Sequence, residues 1–310
     1  MVFISGDEEY RSEEGLPQLA KILAERQGFR CRVLFSINQK GEIDPETKDN
    51  EPGMEALDTA DLCVIQLRFR KWLDAQMEHF DRYLMSGKPI IALRTSTHAF
   101  DYGSESSSPY ARYGVSSKDW KGGFGRQVLG ETWVSHWGQH GAQATLGILE
   151  AGQEECVLAT GINGLFGTTD VYEAHPTEDV NVLFRGQVLS GLIKSDKPAQ
   201  GDKSTSLGVV QDINRPMMPI VWTRMWKNPA NKTNKVFACT MGAATDLLDE
   251  NLRRLLVNSA FWATGLESKI SRSLNVEIVE PFSPSPFGFG GFKKGVRPSD
   301  VQNSYDHRSQ

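Results

Sequence analysis

The sequence predicts an α/β fold with a mainly parallel sheet and helices on both faces, and three observations carry that prediction. Its first hundred residues alternate apolar, β-rich runs with amphipathic runs of helical spacing. Strands separated by crossover helices pair in parallel, whereas short hairpin loops are missing from this region. The 310 residues are 39% hydrophobic and 24% charged, ordinary for a globular protein and enough for one large core.

Taken in order, residues 2–5 (VFIS) read as a strand. Leu16, Leu19, Ala20 and Leu23 then recur at helical spacing and stop at Gly28. Residues 29–37 alternate as a strand, and residues 60–67 form a continuous apolar run. A helix over 73–87 leads to a further strand at 88–93, giving the order β-α-β-α-β-α-β. Right-handed crossovers place the helices on both faces. Ligands of such sheets gather beyond the carboxyl ends of the strands, here the loops after Ser5, Ile37, Leu67 and Leu93. Those loops carry Asp7, Glu8, Tyr10, Arg11, Arg68, Arg70, Arg94, Ser96 and His98.

From Phe100 to Gly125 the pattern dissolves into a Ser-, Gly- and aromatic-rich segment, expected to form a lid or a wall of the site. Later strands are predicted at 128–134, 180–188, 219–226 and 235–241, ahead of a helix over 247–265. The folded domain is expected over 1–268, with 269–310 an extended tail. One short strand at 275–280 is predicted in that tail, which should lie over the domain or over a neighbouring subunit of a homo-oligomer. Its last several residues are expected to be disordered.

The net charge of −5 and the lack of a Lys/Arg block argue against a nucleic-acid partner. No run reaches the roughly 20 apolar residues of a membrane span. With a strand directly after Met1, the chain as given reads as cytoplasmic, an exported protein lacking its leader being the alternative. Cys31, Cys63, Cys156 and Cys239 show no C-x-x-C spacing and read as buried reduced thiols. The Gly122–Gly125 and Phe289–Gly291 runs lack the context of a phosphate loop.

At residues 88–100 (KPIIALRTSTHAF) a strand ends in a sharp polar turn followed by His-Ala-Phe. Further motifs follow in order: Gly130–His136, Asp170-Val171-Tyr172-Glu173, Pro219–Arg224, Lys235–Phe237 and Met241-Gly242. Together they resemble the ThuA-like (trehalose utilisation) branch of the class I glutamine amidotransferase-like superfamily, over roughly residues 2–266. That resemblance implies a flavodoxin-like, glutamine amidotransferase-like sheet and a sugar or sugar derivative as ligand. The turn Arg94-Thr95-Ser96-Thr97-His98 holds no cysteine, so thiolate-dependent glutamine hydrolysis is not expected. Arg94 stands where many ThuA-like sequences have His, and Ala243–Asp246 replaces the family's Gly-His-Asp turn.

His98 reads either as a general base or ligand at the sheet edge, or as a loop imidazole bonded to backbone. His136 and His140 would be neighbours on a helix. The sequence between them reads as extended, which separates them by roughly 13 Å, too far to chelate one metal. Asp170 and Glu173 point to opposite faces of a strand, and Glu173 is taken as the one facing the site. Of Trp133, Trp137, Tyr172 and Trp222, two are expected to be structural. The catalytic candidates are thus His98, His136 and Glu173, with Arg11, Arg94, Ser96, Trp133 and Tyr172 binding substrate. No metal or other cofactor is expected. The implied function is acid/base isomerisation or cleavage of a disaccharide or keto-sugar. Its rivals are a non-catalytic sugar-binding or assembly module and a metal-dependent hydrolase.

Overall fold

A computed structural model describes residues 1–301 and 304–305 of the chain. Its centre is parallel, as predicted. Strands β1 (Val2–Gly6), β2 (Cys31–Phe35), β3 (Cys63–Leu67) and β4 (Ile90–Leu93) pair in parallel, with β1 between β2 and β3. Alternation along these strands sends side chains to two different cores. Phe3, Val64, Ile91 and Leu93 enter one, while Val2, Ile4, Ile65, Ile90 and Ala92 enter the other.

Helix α1 (Ser12–Lys21) covers the first core with Leu16, Leu19 and Ala20, and a π turn over Ile22–Arg26 extends it to Gly28. Helix α2 (Asp74–Met85) covers the opposite core with Met77, Phe80 and Leu84. Helix α3 (Glu250–Ala263) returns to the first face and is capped by the Asp249 carboxylate, which accepts from Leu252 N at 3.0 Å. Layers of helix therefore cover both faces of the sheet. The second crossover is only a six-residue 3-10 helix, Met54–Thr59, shorter than the helix expected there.

The later half extends the sheet with antiparallel strands. In addition to β5 (Thr145–Leu149), β6 (Leu165–Gly167) and β7 (Val180–Val188), the chain forms a small hairpin, β8 (Asp202–Ser204) and β9 (Val210–Asp212). Strands β10 (Met218–Lys227) and β11 (Thr233–Cys239) follow, β11 pairing parallel to β4 and antiparallel to β10. With β12 (Ser304–Tyr305), the sheet order is β12-β2-β1-β3-β4-β11-β10-β7-β5-β6.

Two predicted strands do not form. Residues 128–134 begin in a π turn over Gly125–Leu129 and continue as irregular chain, because Gly130 takes a left-handed φ of 91°. Residues 275–280 are likewise irregular, although Val276 and Val279 are buried in the core. The tail lies over the domain: Gln18 and Arg253 donate to the carbonyls of Val279 and Val276. The disorder expected at the very end concerns residues outside those described.

The segment from Phe100 to Gly125 is a wall fixed to the α2 side. Phe100, Tyr113 and Phe124 pack on one another and on Phe80 in tilted and edge-on pairs, and Tyr113 Oη donates to Asp81 at 2.6 Å. At its end Gly125 passes so close to the 94–98 turn that a Cβ there would stand 1.9 Å from the Thr97 carbonyl oxygen. Cys31, Cys63 and Cys239 are buried in strands and Cys156 is half-buried, all four free. Burial pushes the Cys31 and Cys239 thiols up to about 12.

Glu51 is buried beside β2, its Oε2 accepting from Ser36 Oγ at 2.7 Å. Burial pushes its carboxyl up to about 8. A raised carboxyl favours the fold least once the unfolded chain is ionised, so its penalty grows from about pH 4.5 and levels off above about 8. Glu51→Gln is therefore expected to raise the melting temperature clearly at pH 9 and little at pH 5. An equal shift at both pH values would contradict this.

Candidate active site

The site assembles where β1, β3, β4 and β11 end. Asp7, the first residue after β1, pins these loops together: its Oδ1 accepts from the amides of Glu9 and Tyr10, and its Oδ2 from Thr95 Oγ1 at 2.5 Å. Ser96 accepts from Leu67 N and donates to Ile65 O, which ties the turn after β4 to β3. Ser96 is thus a structural residue rather than a free substrate contact.

Arg94 opens that turn with a left-handed φ of 45°, strained for a residue with a Cβ. Its buried guanidinium donates to Asp170 O at 2.8 Å, Thr240 O at 2.7 Å, Tyr10 Oη at 3.0 Å and Asp170 Oδ1 at 2.9 Å. The rings of Tyr10 and Tyr172 sandwich it at 4.4 and 3.8 Å. Arg94 therefore fixes Asp170 from behind, with no face left for a ligand. Burial pushes the Asp170 carboxyl up, but Arg94 and two imidazoles outweigh that and hold it well below its usual range.

Those imidazoles are His136 and His140. Residues 135–138 run antiparallel to 171–173, with His136 bridged to Tyr172 and the amides of Trp137 and Gly138 donating to Val171 O. After Gly138 the chain turns back, and Lys203 Nζ holds the turn by donating to the carbonyls of His136 and Trp137. His136 Nδ1 consequently lies 2.8 Å from Asp170 Oδ2, and His140 Nδ1 lies 3.1 Å from Asp170 Oδ1. The two ring centroids are 4.6 Å apart, not the roughly 13 Å of an extended chain. The separation inferred from an extended reading is corrected by this turn. Both rings are 36% exposed. His140 Nε2 also faces Glu9 Oε1 at 3.2 Å, and the carboxylates around it raise its pKa. Among the described residues, His136, His140 and Asp170 offer ligand atoms within 4.8 Å of one another, so they are the group that could hold a metal ion.

His98 joins this group through stacked rings. It is buried between Phe69 at 4.8 Å and Trp133 at 5.3 Å, and Trp133 in turn meets His136 at 5.8 Å. Burial, with Arg68 and Arg94 nearby, lowers the His98 pKa well below the usual value, so its imidazole is neutral. Trp133 is half-buried; Trp137 and Trp222 are core residues whose indoles donate to Ile213 O and Leu129 O.

The tail closes one side. Phe287 stacks on Tyr10 and His140, each at 5.4 Å, and Gly288 N donates to Glu9 O. Arg11, expected to bind substrate, is buried and donates instead to Glu8 O and Gly288 O, which straps the tail to the β1 loop. Glu173 faces away from Asp170. It accepts from Ser135 Oγ, His175 Nε2 and both the amide and hydroxyl of Ser206. These hydrogen bonds overcome burial and hold its carboxyl at about 2.

Of known structures, a protein from Parabacteroides merdae ATCC 43184 described as thua-like superposes with a TM-score of 0.51 at 12% identity, covering 93% of this chain and 96% of its own. The fold is ThuA-like. A thua-like protein from Bacteroides uniformis ATCC 8492 (TM-score 0.47, 15% identity, 84% and 89% covered) and the mmIFT52 N-terminal domain (0.43, 15%, 85% and 96%) resemble it less. No family profile and no curated protein matches the chain.

In this ThuA-like fold the sharp turn after β4 carries Arg94 as a scaffold, and the polar centre lies on the segments crossing above it. Of the sequence-predicted residues, His98, His136, Trp133 and Tyr172 come together, with Arg94 beneath. Arg11, Ser96 and Glu173 are engaged elsewhere. Asp170, His140 and Glu9 complete the cluster. No helix among the described residues is long and apolar enough to cross a membrane.

Proposed function

We propose that the chain is an enzyme acting on a small carbohydrate, a disaccharide or a keto-sugar, by acid/base chemistry at the His136–Asp170–His140 group. The single observation that supports this most is the pairing of two half-exposed imidazoles with one buried, charge-compensated carboxylate. A carboxylate on Nδ1 orients each ring; the outward nitrogen of His136 is left to meet the substrate, whereas that of His140 faces Glu9 Oε1. The raised pKa of His140 and its contact with Glu9 make that pair the source of a proton for a leaving or carbonyl oxygen. His136, on the other oxygen of Asp170, is placed to accept one. Trp133 offers a half-buried ring beside His136, a surface suited to the apolar face of a sugar.

The carbohydrate class rests on the sequence resemblance to ThuA-like proteins, with which the fold agrees. Glutamine hydrolysis is not part of the reading, because the strand thiols are buried and neutral. Incubating the protein with a panel of disaccharides and keto-sugars and following each by NMR tests the proposal. Conversion of at least one compound, insensitive to thiol alkylation, is the expected result. No conversion across the panel would count against it.

A further inference from the structure

We propose that His136, His140 and Asp170 bind one divalent transition metal ion, of the zinc class, with Glu9 orienting His140 from outside. This deepens the reading above by assigning a cofactor to the same centre, where the imidazoles would hold the ion and its bound water would carry the proton transfer otherwise given to them, and it rests on that centre being the functional one.

Four bonds of about 2.0–2.2 Å in a tetrahedral zinc site place ligand atoms roughly 3.3 Å apart. The Nδ1 atoms of His136 and His140 lie 2.8 and 3.1 Å from the two oxygens of Asp170. The space between these atoms is now spanned by hydrogen-bond protons. An ion there would replace those protons, with the three ligand atoms, now within 4.8 Å of one another, closing around it.

The surroundings are those of a ligand set. A metal-bound imidazole must present a lone pair, so its other nitrogen carries the proton and needs an acceptor. Glu9 Oε1, 3.2 Å from His140 Nε2, is that acceptor. Glu9 is itself held by the β1 loop, since its amide donates to Asp7 Oδ1 and its carbonyl accepts from Gly288 N. On the inner side, Arg94 bonds Asp170 Oδ1 at 2.9 Å and fixes the carboxylate with Oδ2 turned toward His136.

Two imidazoles and one carboxylate form a three-ligand set with an open fourth position, the pattern of catalytic rather than structural zinc. Nitrogen donors select against magnesium and calcium, which take oxygen ligands. The exposed edges of both rings, 36% each, leave the fourth position to water or a substrate oxygen.

The full chain, stripped with a chelator, should bind cobalt(II) at one ion per chain with a saturable visible d–d band, and zinc should displace it. His136→Ala and His140→Ala should each abolish the band with an unchanged far-UV circular dichroism spectrum. Glu9→Gln should retain it with affinity weakened about 10–100-fold. Absence of a saturable band in the wild type, or an equal band in both histidine variants, would overturn the metal assignment. Turnover of a carbohydrate by metal-free protein would also overturn the metal as a cofactor while leaving the proposed function standing. A bound ion with no carbohydrate converted would support the site and remove the function assigned to it.

Discussion

His136→Ala and His140→Ala are each expected to lower kcat/KM on the converted carbohydrate by about 10²–10⁴-fold, the contribution of a positioned acid or base. Stability should change by no more than about 1 kcal/mol, because each ring is partly exposed and Asp170 keeps its Arg94 partner. Steady-state kinetics and urea unfolding on the same preparations check both halves. A structural histidine would give the opposite pattern, with a lower unfolding midpoint and activity in proportion to the folded protein. His79 supplies a control, since it lies on α2 against Asp58, on an exposed helix surface.

Arg94→Met should be the most destabilising single change at the site, costing about 3–5 kcal/mol. It strands the buried Asp170 carboxylate and empties the gap between Tyr10 and Tyr172. Because the two groups act as a pair, adding Asp170→Asn should cost far less in the Arg94→Met background than in the wild type. Additive losses in this double-mutant cycle would show that Arg94 does not act mainly through Asp170. The wild-type pair should persist into strong acid, since Asp170 is held ionised well below the usual carboxylate range.

The parallel centre was legible because β1, β3 and β4 are short apolar runs between helical patterns, and period 2 sorts their side chains between two cores. Strands β5 and β6 carry no such signal: TLGIL and LFG are short and interrupted by glycine. Residues 128–134 look β-rich, yet Gly130 breaks them at a left-handed φ. His136 and Tyr172 could be placed from family-like motifs, but His140 depended on a reversal. The signal was present in Gly138 and Gly141, the latter at φ 72°.

Strand parity correctly separated Asp170 from Glu173, but parity alone does not say which face is the site. The buried Arg94 decides it, through a contact 76 positions away in sequence. Glu9 sits in a run of three acids, Asp7-Glu8-Glu9, and only the fold distinguishes them: Asp7 pins loops, Glu8 pairs with Arg68 and Arg70, and Glu9 meets His140. Arg11 looked free because its partner, Gly288, lies in the tail.

A carbohydrate is expected to bind against the His136–Asp170–His140 group. Long-range ¹H–¹⁵N spectra of the imidazoles, recorded while a converted disaccharide or keto-sugar is added, test it most directly. The account predicts shifts concentrated at His136 and His140, a smaller change at His98 behind Trp133, and none at His79. Saturable binding that leaves the His136 and His140 resonances unmoved would contradict it.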